Sequence, residues 1–88
     1  MIKIIKAVDL SERILRVNFS DLAYGNYDLQ PLINRQTELV YPLQDEAYFK
    51  QFYLELGALC WPNGLELSPE NIYRKLATQN LLIVTDAA

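Results

Sequence analysis

The sequence predicts an α+β domain: an antiparallel sheet of short strands and hairpins, with two short helices packed on one side. Three observations predict it. Apolar stretches with strand-like alternation outnumber helical ones, the helical patterns come late, and the connections are short enough to make neighbouring strands antiparallel. With 88 residues the chain reads as one domain over positions 1–88, because a second would be too small to hold a core. Its apolar fraction of 51% and charged fraction of 22% are those of a folded globular protein.

The first strand is expected from Ile2 to Leu10, where β-branched residues alternate imperfectly with lysines. Asp9 to Glu12 reads as a turn. Ile14 to Phe19 then alternates cleanly, with Leu15, Val17 and Phe19 on one face and Arg16 and Asn18 on the other. Ser20 and Asp21 open a second turn into a third strand, Ala23 to Leu29, in which Gly25 predicts a bulge or a close backbone approach. Gln30 to Asn34 suits one irregular helical turn with Pro31 at its start. Arg35 to Val40 is read as a short extended piece.

Asp45 is placed to cap a short helix reaching about Gln51, whose apolar face holds Tyr48, Phe49 and Phe52. Tyr53 to Leu56 and Ala58 to Trp61 make a hairpin across Gly57. Pro62 has no amide to donate and holds Trp61 extended, so the strand should stop there, and Asn63-Gly64 is turn chemistry. Ser68, Pro69 and Glu70 have the character of a cap, a first helical position and a first-turn acid. They predict a helix to about Ala77 that buries Ile72, Tyr73 and Leu76. Leu81 to Thr85 is an apolar segment read as a final strand or as a tail that seeks a partner.

Composition excludes several chemistries. There is no histidine, so neither a Ser-His-Asp nor a Cys-His arrangement is available, and the lone Cys60 rules out an internal disulfide. Cys60 lies in an apolar strand beside Trp61 and reads as a small packed hydrophobe. No apolar run approaches the roughly 18–20 residues that span a bilayer. Lysines interrupt the N-terminal Met1 to Lys6, unlike the core of a signal peptide, so a cytoplasmic protein with no membrane association is expected. A net charge of −3 with scattered cations argues against direct nucleic-acid binding.

Two blocks stand out together. Phe19 to Leu29 is similar to F-x-D-G-x-x-G-x-x-D-L, and Trp61 to Pro69 is similar to W-P-N-G-x-D-L-x-P, followed by Ile72 and Tyr73. Between them Leu43, Asp45 and Phe49 match a spaced L-x-D-x-x-x-F. Their order and spacing resemble the small bacterial DUF2442 family over roughly Ile2 to Ala77. The chain departs from it at Leu22, where the motif has glycine, and at Glu66, where it has aspartate. The resemblance implies a compact α+β domain and no particular activity. It also implies a small protein partner encoded nearby, in a toxin–antitoxin-like pair. Some members carry a C-terminal helix-turn-helix domain, for which a chain ending at Ala88 is expected to have no room.

The motif residues Asp21, Gly25, Asp28, Trp61, Pro62, Asn63, Gly64, Glu66 and Tyr73 are the candidate partner-binding positions. Asp21, Asp28 and Glu66 are the acids a cation site would draw on, but calcium wants six or more oxygen ligands, and turn, strand-end and loop-tethering roles account for all three. Trp61 is either core or a hot spot for a partner. Six tyrosines are numerous for this length, and exposed tyrosines are common in interfaces. No catalytic, cofactor-binding or metal-binding residue is assigned. The expected function is a non-enzymatic protein-interaction module, antitoxin-like, with a homodimer as a further form of association. The alternatives are a transcription-regulatory domain without its DNA-binding part and a small histidine-free enzyme.

Overall fold

A computed structural model describes residues 1–85 of the chain, so the last positions of the expected domain, 86–88, lie outside the described residues. The architecture is α+β, and its antiparallel strands fall into two three-stranded sheets. The first holds β1 (Ile4–Asp9), β2 (Ile14–Phe19) and β3 (Tyr24–Asp28) in chain order. A one-turn helix α1 (Gln30–Ile33), a 3-10 turn (Tyr41–Gln44) and a second one-turn helix α2 (Glu46–Phe49) follow. The second sheet holds β4 (Tyr53–Glu55), β5 (Ala58–Cys60) and β6 (Glu66–Leu67), and helix α3 (Pro69–Thr78) comes after it.

Strand alternation does what the sequence implies. Leu15, Val17 and Phe19 of β2 are fully buried, and Ala23, Gly25, Tyr27 and Leu29 line up beside them on the inner face. Lys6, Arg16, Asn18, Tyr24 and Asn26 take the outer face. α3 lays Ile72 and Leu76 against the inner face, with Tyr73 half-buried at the side and its ring edge-on to Phe19 at 5.0 Å. One contiguous core joins this layer to Leu43, Phe49, Leu59, Trp61 and Leu65 from the second half of the chain.

Several local expectations are corrected. The β1–β2 turn lies later than Asp9 to Glu12: Ile14 N–H donates to Ser11 O (3.1 Å), with Glu12 (φ 58°) and Arg13 (φ 65°) both left-handed at its centre. That is a type I′ geometry, whose twist matches the strands it joins. Of the two readings of Gly25 the close backbone approach holds, while the bulge of this sheet falls in β1, between Ile4 and Lys6. Arg35 to Val40 is not extended, since Thr37 O accepts from both Val40 and Tyr41 amides and closes a turn. The loop before α3 contains the short strand β6, because Leu67 and Glu66 pair with Leu59 and Cys60. Leu81 to Thr85 makes only an isolated bridge, Ile83 to Tyr24, on the outer edge of β3.

Both predicted caps are present. Asp45 accepts from Ala47 N–H at 3.1 Å, and Ser68 Oγ accepts from Asn71 N–H at 3.4 Å. Ser68→Ala is expected to cost about 1 kcal/mol by leaving that amide without its side-chain acceptor. A urea-denaturation midpoint that does not move would show that water replaces the cap fully.

Candidate functional site

The two motif blocks meet through α3, and their polar groups are engaged within the fold. Asp21 closes the β2–β3 turn by accepting from Ala23 N–H (2.9 Å), and its second oxygen accepts from the Tyr73 hydroxyl at 2.7 Å. That bond, with burial adding to it, raises the Tyr73 phenol above its ordinary pKa. One aspartate thus ties the first block to the helix that follows the second. Asp28 ends β3 and accepts from Gln30 N–H at 2.9 Å, starting α1.

Trp61 is fully buried. Its indole N–H donates to Phe49 O at 2.9 Å, and its ring lies 5.9 Å from Phe49 and 6.4 Å from Phe52. The corner after it is closed by backbone bonds from Gly64 N–H to Trp61 O and from Trp61 N–H to Leu65 O. Asn63 holds three partners there. Its amide donates to the Tyr48 hydroxyl (2.9 Å), its side-chain nitrogen to Leu39 O (2.9 Å), and its side-chain oxygen accepts from Leu65 N–H (3.1 Å). Gly64 has φ 96°, which a side chain would strain, and Pro62 is exposed at the tip. Glu66 is the exception among the motif acids. Far from tethering the loop, it stands exposed on β6 with no side-chain hydrogen bond among the described residues. Cys60 is buried in β5, and burial, followed by the carboxylates of Glu66 and Glu55, pushes its thiol pKa up.

Leu22 shows what its departure from glycine does. It is left-handed at φ 75°, with its amide donating to Phe19 O, and its side chain is 58% exposed. A non-glycine residue there costs about 1–2 kcal/mol, while glycine gives back part of that through chain entropy. Leu22→Gly is therefore expected to stabilise the protein by about 0.5–1 kcal/mol in urea denaturation. Destabilisation would show that the leucine side chain contributes packing worth more than the strain.

Sequence reasoning missed Arg13. Its Nε donates to Leu43 O (3.1 Å), a terminal nitrogen donates to Gln44 O (2.8 Å), and its guanidinium sits 5.4 Å from the Phe49 ring centre. It fastens the β1–β2 turn to the 3-10 turn across thirty residues of chain. A single arginine in a turn carries no signal for such a reach.

Two sizeable hollows stand out on the surface of the described residues. The larger, about 600 Å³, is walled by Glu12, Arg13, Asp28, Gln30, Asn34 and Gln44, and two of its amides already bond each other, Gln30 to Asn34 at 2.8 Å. The second, about 370 Å³, runs along the β3 edge between Arg16, Tyr24, Asn26, Asn80, Leu81 and Ile83. Beside it the C-terminal segment is held by two backbone bonds between Tyr24 and Ile83 and by the Thr85 hydroxyl donating to Leu22 O at 3.1 Å. Leu22, Leu81, Ile83 and Val84 are all exposed along this edge.

Among the described residues no helix is long and apolar enough to cross a membrane, and no three acidic or cysteine side chains converge as metal ligands would. A family model described as "Protein of unknown function (DUF2442)" matches residues 5–78. No curated protein and no solved structure matches the chain.

Proposed function

The chain belongs to the DUF2442 family of proteins of unknown function, and for this member we propose a cytoplasmic protein-interaction module without catalysis of its own. The observation that carries this reading is the apolar strip at the β3 edge. Leu81, Ile83 and Val84 of the C-terminal segment expose large side chains, as does Leu22 of the β2–β3 turn, whose carbonyl the segment bonds through Thr85. Scattered exposed apolar residues are ordinary, but a gathered strip beside an incompletely paired strand is a surface that association would bury. The motif residues supply the frame: Asp21, Asn63, Trp61 and Tyr73 fix the corner and α3, and α3 supports β3 from behind. The partner is a small protein encoded beside this one, with this chain in the antitoxin-like role.

Co-expression with the neighbouring reading frame, followed by light scattering on the purified material, tests the reading. A stable complex that Val84→Asp and Ile83→Asp weaken is expected. A chain that elutes alone, or a complex indifferent to both substitutions, would overturn it. A homodimer lost on the same substitutions would show that the strip covers a second copy instead.

A further inference from the structure

The groove beside β3 has a chemistry that the apolar strip alone does not explain. Arg16 projects from the outer face of β2, and its guanidinium lies over the Tyr24 ring at 4.3 Å. The stack fixes the group in place while leaving the N–H edges of its plane free. Among the described residues Arg16 makes no ion pair and donates no hydrogen bond, whereas Arg13 and Arg74 both have acceptors. Among the described residues no carboxylate lines the groove, although the protein has eleven acidic residues against eight basic ones. Lys6 stands on the same outer face, across from Asn18.

The backbone is open at the same place. Tyr24 turns its amide and carbonyl outward to Ile83. Asn26, two residues on, turns its own to the same edge. The C-terminal segment does not reach them, because the Leu81 amide is bonded back to Leu76 O at 2.8 Å. An oriented cation, a stretch of strand edge without a partner among the described residues, and the exposed side chains of Leu81 and Ile83 therefore surround one groove of about 370 Å³.

We propose that this groove docks an extended, carboxylate-bearing segment of a protein partner. The segment adds to the β3 edge at Asn26, Arg16 receives its carboxylate, and Leu81 and Ile83 take the apolar side chains on either side. Strand addition supplies main-chain bonds without sequence preference, and the charge-assisted contact supplies the selection. The proposal rests on the interaction reading above and names the chemistry of its partner.

The probe is a capped pentapeptide with a central glutamate between valines, with its glutamine and lysine counterparts, titrated into the full chain and followed by amide NMR. Saturable shifts centred on Tyr24, Asn26, Leu81 and Ile83 are expected for the glutamate peptide. Binding should be about tenfold weaker for the glutamine peptide and for Arg16→Gln, with Arg16→Lys between them. Arg16→Lys also serves if Arg16→Gln proves poorly folded. Equal binding of the three peptides, shifts centred elsewhere, or affinity untouched at Arg16 would overturn the proposal. If a co-expressed partner binds while the peptide does not, the groove assignment falls and the interaction reading stands. If neither binds, both fall.

Discussion

Trp61→Ala is expected to remove about 3–5 kcal/mol of stability, the largest loss of any single substitution in this chain. A domain of this length has about 4–13 kcal/mol in total, so a loss of this size unfolds a chain at the low end of that range and leaves one at the high end folded with a clearly lowered denaturation midpoint. Two effects combine at one position. The indole packs against Phe49 and Phe52, and its N–H donates to Phe49 O, whereas the main-chain bonds of the corner that leads to β6 survive the substitution. Trp61→Phe separates them. It keeps an aromatic ring but leaves Phe49 O with only the long bond from the Phe52 amide (3.4 Å), for an expected loss of about 1 kcal/mol beyond the change in volume. Circular dichroism with urea denaturation measures both. A tryptophan that tolerates alanine with a loss below about 1 kcal/mol would mean that the corner is held by Asn63 rather than by the ring.

Much of this frame is legible in the sequence because its causes are local. Alternation in Ile14 to Phe19 is a property of that strand alone, and the caps at Asp45 and Ser68 act within three residues of themselves. Asp21 and Asp28 could likewise be read as turn residues, since each accepts from an amide two positions on. What the sequence hides is what depends on distant chain. The separation into two sheets is marked in no single stretch, and β6 exists only through its pairing with Leu59 and Cys60 across the Trp61 corner. Leu65 to Leu67 carries no strand pattern long enough to declare it. Arg13 reaches Leu43 and Gln44 by a fold-level accident of proximity, and the left-handed φ of Leu22 contradicts its local preference. The candidate site shows the same division. The motif positions were visible as letters, but that Tyr73 meets Asp21 across fifty-two residues could only be seen in space.

Gly25→Ala carries the second large effect, and it reports on the C-terminal segment. A Cβ at position 25 would lie 2.8 Å from Leu81 O and 3.1 Å from a Leu76 methyl carbon. The leucine side chain can give by a few tenths of an ångström. The carbonyl cannot give as readily, because Leu81 is tied at its own amide to Leu76 O and two residues on by the Ile83–Tyr24 pair. The added methyl must therefore lift the segment from the β3 edge, at an expected cost of about 1–3 kcal/mol and a fall in Tm of about 4–8 °C for each kcal/mol lost. Amide exchange at Tyr24 and Ile83 should quicken before that of β2, since their mutual bonds are the ones broken. Repeating the substitution in a chain ending at Asn80 isolates the cause. With Leu81 gone only the yielding Leu76 contact remains, and alanine, which restricts the unfolded chain more than glycine, should then be neutral or stabilising by about 0.4–1 kcal/mol. If Gly25→Ala costs the same in both backgrounds, the glycine serves the packing of α3 on the sheet and the C-terminal segment is not what it accommodates.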